Sequence, residues 1–188
     1  MSLRPVRVLG DPILRRIAEP VRAVTDEVRR LTDDMYETMY TAKGIGLAAP
    51  QVGVGTRLFI TDVDGARHVM INPELERAEG EIEVSEEGCL SIPELFGDVK
   101  RPSLVVMSAT SLSGEPFTVE ATGLLGRCML HELDHLNGRL FIDYLSFLKR
   151  RRALAEWAAI EKDFPGHIRI LTPSDPGDQD RGRATEEL

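Results

Sequence analysis

Two histidines four residues apart, His131 and His135, are the residues of this chain best suited to chemistry, with Glu132 beside the first and Asp134 beside the second. On an α-helix that spacing is about one turn, roughly 6 Å along the axis, so both imidazoles can reach one divalent cation. Glu132 then lies within reach of a water polarised by that cation and can take its proton. This is the minimum apparatus for metal-assisted hydrolysis. The same pentapeptide arises by chance on exposed helices, so the decision rests on what the rest of the chain supplies.

A catalytic site usually has three protein ligands and one open position. Of the four histidines, His68 sits in a strand-like run and His167 near the tail, and both read as surface or core residues. Cysteine is the alternative donor. Cys128 shares a helical stretch with His131 and His135, but residues seven apart are separated by roughly 10 Å along a helix axis. Bonds of about 2.0–2.3 Å leave little room for Cys128 and His135 to share an ion, so Cys128 reads as a small buried hydrophobe. Cys89 stands in Glu86-Glu87-Gly88-Cys89-Leu90-Ser91, where Gly88 would let the backbone turn close to a metal. A thiolate from that loop and two imidazoles from a helix would make a Cys-His-His site with one open position. A cysteine that merely precedes a turn is the other reading.

The loop 44–51, Gly-Ile-Gly-Leu-Ala-Ala-Pro-Gln, keeps side chains small, so a peptide could pair with exposed backbone. Gln51 offers an amide donor to the oxygen of a carbonyl under attack. The loop lacks the lysine and Ser/Thr of a phosphate-binding loop. Its plainer reading is a connection from helix to strand.

These residues need elements to position them. An extended N-terminal stretch ends at the turn signal Gly10-Asp11-Pro12. Thr25 as N-cap, with Asp26 and Glu27 following, opens a helix to about Lys43 whose Val28, Leu31, Met35 and Met39 face a core. Short strands are expected at 57–61, 68–71, 81–84, 104–108 and 116–121. A second helix covers about 123–136, apolar around most of its circumference and therefore buried. Polar residues at such depth need a partner, and a cation would be one. A further strand is expected at 140–145 and a third helix at 148–164, with a stripe of Ala153, Trp157, Ile160 and Phe164. From Thr172 the tail, 172–188, has the composition of a disordered segment. Mixed strands around a central metal-binding helix argue an α+β fold, with one catalytic domain over 1–165.

The bulk composition, 42 % hydrophobic and 29 % charged, is that of an ordinary soluble protein. The 188 residues suit one core, and the net charge of −8, from 23 basic and 31 acidic residues, argues against a general nucleic-acid binder. No apolar run approaches the roughly 20 residues of a membrane span, and the N-terminus lacks a signal-peptide core. A cytoplasmic protein is expected. A disulfide between Cys89 and Cys128 is not expected in that compartment.

Taken together, the segments resemble peptide deformylase. That family's motifs are G-φ-G-φ-A-A-x-Q, E-G-C-φ-S and H-E-φ-D-H, with φ apolar, and they stand here in order at 44–51, 87–91 and 131–135. The stretch Gly10-Asp11-Pro12-Ile13-Leu14-Arg15 is similar to the family's N-terminal segment, and the similarity covers about residues 5–150. The resemblance implies the deformylase fold and removal of the formyl group from nascent proteins. It also implies one divalent metal, Fe(II) in the native enzyme and exchangeable for Zn, Ni or Co. Carried over by residue, Cys89, His131 and His135 are ligands, and Glu132 is general base and then acid. Gln51 and the Leu90 N–H stabilise the oxyanion. Ile45, Gly46 and Gly88 hold the peptide backbone, while Leu124 and Cys128 line the methionine pocket. Glu87 and Arg101 match positions that buttress the cysteine loop, and Asp134 is a candidate to orient a ligand imidazole. Phe96 and Leu130 depart from the family pattern, Phe96 at the pocket rim and Leu130 where a Gln is common.

Two other readings remain. A peptidase with Glu156 or Glu161 as third ligand would leave Cys89 and Gln51 without roles. A non-catalytic binding module would not need Glu132 and Gln51. The run Lys149-Arg150-Arg151-Arg152 is either a solvated helix end or, as the resemblance suggests for bacterial members, a weak ribosome contact.

Overall fold

The computed structural model describes residues 2–172, so all but one residue of the tail expected to be disordered lies outside the described residues. Helix α1 spans Asp26–Thr41, with the Thr25 hydroxyl accepting from the Val28 N–H at 3.4 Å and two acidic residues in its first turn. Its inward stripe of Leu31, Met35, Tyr36 and Met39 packs on Leu47, Leu58, Ile60, Ile71 and Leu90. Among the described residues no helix is long and apolar enough to cross a membrane.

The strands form a two-stranded ribbon and a five-stranded sheet. The ribbon pairs β1 (Val6–Arg7) with β7 (Ile168–Arg169). The antiparallel sheet runs in the order β2 (Gly46–Ala48), β3 (Leu58–Val63), β4 (Ala66–Cys89), β5 (Ile92–Thr110), β6 (Pro116–Thr122). Strands β4 and β5 are far longer than the short runs expected from composition. The glutamate-rich part of β4 is exposed, so it has no apolar alternation to read. Turn-like residues within it are absorbed by register shifts between Ile71 and Glu74, Leu75 and Arg77, and Glu79 and Ile82.

Helix α2 spans Gly123–Leu136, as its apolar character predicts. Met129, Leu130, Leu133 and Leu136 pack against Phe59, Met70, Val105 and Met107 on the sheet. Leu130, the apolar replacement for a common Gln, is thus a core residue.

The strand expected at 140–145 is instead a 3-10 turn, Phe141–Tyr144. Phe141 and Ile142 are adjacent and both buried, which an alternating strand does not allow on one face. Asp143 closes the turn by accepting from the Leu140 N–H at 2.9 Å. Helix α3 spans Phe147–Ile160, with a further 3-10 turn at Glu161–Asp163, so it ends short of Phe164. Ala153 and Trp157 face Leu14, Val99 and Phe141, and Trp157 stacks on Phe164 at 5.5 Å.

Candidate metal centre

Residues 126–136 of α2 are all buried, and five of them are polar: Arg127, His131, Glu132, Asp134 and His135. The fold brings β4 to this face. Its last residue, Cys89, pairs with Ile92 across the tight turn Leu90-Ser91, and Gly88 occupies the irregularity just before it. Cys89, His131 and His135 each place a donor atom within 4.8 Å of the others, and all three residues are buried. The Cys89 Sγ to His135 Nε2 distance is 3.3 Å. Two ligands on one tetrahedral ion, with bonds of about 2.3 and 2.0 Å, sit about 3.5 Å apart. The donor set therefore fits a divalent metal in both chemistry and spacing.

The protonation states favour ligation as well. Glu87 is 1 % exposed and receives Arg101 Nε at 2.9 Å, Arg101 Nη2 at 3.0 Å, Arg127 Nη1 at 2.8 Å and His131 Nδ1 at 3.0 Å. Burial raises its carboxyl, but the hydrogen bonds and charges of His131 and Arg101 outweigh burial and hold it at about 2. An ionised carboxylate only accepts, so His131 donates to it from Nδ1, and it is Nε2 that is left to face the ligand cluster. That Nε2 has no hydrogen-bond partner in its buried position. Burial, reinforced by the charges of His131, Arg15 and Arg101, pushes His135 well below the usual imidazole range, so it is neutral and able to ligate.

The imidazole is therefore oriented by Glu87, and the part suggested for Asp134 needs correction. Asp134 accepts from Arg101 Nη1 at 2.7 Å and from the Tyr144 hydroxyl at 2.7 Å, and reaches the ligands only through Arg101. The sequence offered a signal for Arg127, which the motif reading missed: an arginine one turn before His131 in an apolar helix must find acceptors if the helix is buried.

Glu132 is fully buried, and neither of its carboxylate oxygens has a hydrogen-bond donor. Burial, with the negative charges of Glu87 and Asp134, raises its pKa well above the ordinary carboxylate value. A dication close by acts in the opposite direction. Gly46 lies against it: a Cβ there would fall 2.5 Å from Glu132 Oε1 and 2.7 Å from Cys128 Sγ.

Gln51 closes the centre on the other side. The Ala48 N–H donates to its Oε1 at 2.7 Å, which orients the amide so that Nε2 faces Ser91 Oγ at 3.3 Å and Cys89 Sγ at 3.6 Å.

The remaining expected residues fall around this core. Ile45, Gly46, Gly88 and Leu90 are buried, and the Cys128 thiol donates to the Ile45 carbonyl at 3.7 Å. Leu124, one turn before Cys128, is 40 % exposed. Phe96 lies away from the ligands' immediate contacts, on a surface groove between β5 and α3 that it shares with Leu145 and Lys149. Glu156 is exposed and paired with Arg152 at 2.7 Å, and Glu161 lies 3.6 Å from His167, so neither joins the ligand cluster.

A buried Cys-His-His cluster beside an unpartnered glutamate, on an α+β scaffold, is the donor set and proton acceptor that a metal-dependent hydrolase would use. Comparison with known proteins narrows the class. Residues 3–151 match the polypeptide deformylase family. A peptide deformylase from Acinetobacter baumannii (strain SDF) is 50 % identical over 155 residues, covering 81 % of this chain and 88 % of its own. The crystal structure of a peptide deformylase from Legionella pneumophila superposes with a TM-score of 0.82 at 41 % identity, covering 86 % of this chain and 96 % of its own. A Met-Ala-Ser-bound class I type b peptide deformylase from Acinetobacter baumannii matches with a TM-score of 0.75 at 36 % identity, covering 77 % of this chain and 100 % of its own. The chain belongs to the polypeptide deformylase family and is an enzyme of that hydrolase class.

Proposed function

We propose that this enzyme removes the formyl group from the N-terminal formyl-methionine of nascent proteins, releasing formate and a free amine. The observation that carries the reading is the convergence of Cys89, His131 and His135 beside the two unpartnered oxygens of Glu132. A divalent metal on those three ligands, Fe(II) by resemblance with Zn, Ni or Co as substitutes, would supply Lewis acidity toward the carbonyl and toward water. The rest of the chemistry falls to the chain's own groups. Glu132 takes a proton from water as the oxygen attacks the formyl carbon. It returns that proton to the amide nitrogen as the C–N bond breaks. Gln51 Nε2 and the Leu90 N–H donate to the carbonyl oxygen as negative charge develops there.

Recognition is assigned to the surrounding backbone and apolar groups. Ile45, Gly46 and Gly88 hold the peptide, while Leu124 and Cys128 line the methionine pocket. The Met-Ala-Ser complex of the Acinetobacter relative supports a peptide that begins with methionine. The reaction belongs where formylated chains are made, in the cytoplasm. The run 149–152 is assigned a weak, salt-sensitive ribosome contact. Neutralising these four residues should abolish co-sedimentation with ribosomes, and unchanged co-sedimentation would sink that assignment.

The experiment is formate release from formyl-Met-Ala, run beside acetate release from acetyl-Met-Ala. Release from the formyl peptide alone is expected. A metal-loaded protein that releases no formate, or that cleaves both peptides equally, overturns the reading.

A further inference from the structure

We propose that Arg127 is a positioning residue for the metal centre: it braces the helix carrying His131 and His135 against the strand pair that delivers Cys89, and so sets how firmly the ion is held. The proposal rests on the metal-dependent reading above. A guanidinium is costly to bury, and Arg127 is only 6 % exposed on a helix whose Met129, Leu130, Leu133 and Leu136 pack into an apolar core. Three of its five N–H donors are engaged. Nη1 donates to Glu87 Oε1 at 2.8 Å and to the Val99 carbonyl at 3.0 Å, and Nη2 donates to the Glu83 carbonyl at 3.1 Å.

The three acceptors define what is braced. Glu83 and Glu87 belong to β4 and Val99 to β5, and the two strands pair through Glu83 with Arg101 and Ser85 with Val99. Glu87 lies two residues before the thiolate ligand, and Arg127 lies one turn before His131. Arg101 makes the reverse link, from β5 to Asp134 on α2 at 2.7 Å. The two guanidiniums thus cross between helix and strand pair in opposite directions and meet on Glu87.

Without Arg127, Glu87 Oε1 keeps only Arg101 Nε, and the Glu83 and Val99 carbonyls lose this donor. The carboxylate that orients His131 is then less constrained, and the separation of thiolate from imidazoles is no longer pre-set. Lysine is a poor substitute, because a point charge on a flexible stem cannot reproduce a planar fork spanning three acceptors.

The test uses the cobalt-loaded full chain, with Arg127→Met, Arg127→Lys and, as a core-packing control, Val105→Ala. Transfer of Co(II) to excess chelator and the visible spectrum of the bound ion are measured. Arg127→Met is expected to lose cobalt on the order of 10- to 100-fold faster than the parent, with altered absorption bands. Arg127→Lys should fall between the two. Val105→Ala should lower the melting temperature without changing either metal readout. Parental release and spectrum in folded Arg127→Met, or in Arg127→Lys should the first not fold, overturn the proposal. A parent that binds no cobalt, or a Cys89→Ala variant that retains it like the parent, overturns the metal reading itself and this inference with it.

Discussion

Glu132 keeps two carboxylate oxygens away from water with no donor on either, an arrangement that costs stability and therefore points to a task. Replacing it by alanine should lower turnover by about 10²–10⁴-fold, the usual contribution of a positioned general base, while the metal stays bound. Gly46 carries a linked prediction. Its substitution by alanine drives a methyl into Glu132 Oε1, so turnover should fall about 100-fold with metal content unchanged. Parental turnover in Gly46→Ala would show that the carboxylate can shift without cost. At this scale the cluster of Cys89, His131 and His135 with Glu132 beside it was legible because few residue types can do this chemistry and their motifs are short. Arg127 and the true partner of His131 were not, because they depend on which strand segments lie beside α2.

At the scale of elements, α2 was readable from its apolar circumference, and α1 from its cap and stripe. The long β4 and β5 were not, since an exposed strand rich in glutamate carries no burial pattern. The turn at Phe141–Tyr144 was missed because β-branched and aromatic composition suits a strand, whereas its conformation follows from Asp143. Asp143 also yields a pH prediction. Burial raises its carboxyl, but Arg15, the Leu140 N–H and Arg150 outweigh burial and hold it below the ordinary value. A depressed folded-state pKa contributes stability above the unfolded value of about 4, and that contribution is lost as pH falls through the folded value. Asp143→Asn should therefore be less stable at neutral pH and lose less stability on acidification. An unchanged difference between variant and parent from pH 7 to pH 2 would contradict this account. Trp157→Ala tests the docking of α3: about 3–5 kcal/mol of stability should be lost in denaturant unfolding, with metal binding retained.

Across the whole molecule, the site is a meeting of one helix, the end of one long strand and the short strand β2 with the 3-10 turn Ala49–Val52 that follows it, and the three sequence motifs mark those three places. Their convergence could be expected from the family resemblance but not from spacing alone, because residues 51, 89 and 131 are far apart along the chain. All the groups assigned to the site lie within residues 45–135. A chain ending after residue 172 should therefore keep its metal content and rate of formate release. A loss of either would assign the remaining segment a part in catalysis.

The most direct test of the central claim is single-turnover formate release from formyl-Met-Ala by protein loaded anaerobically with Fe(II), with bound iron quantified in the same samples. The parent and Glu132→Ala should carry equal iron, and only the parent should release formate at an appreciable rate. Equal release from both would remove Glu132 from the chemistry and contradict the mechanism assigned to this centre.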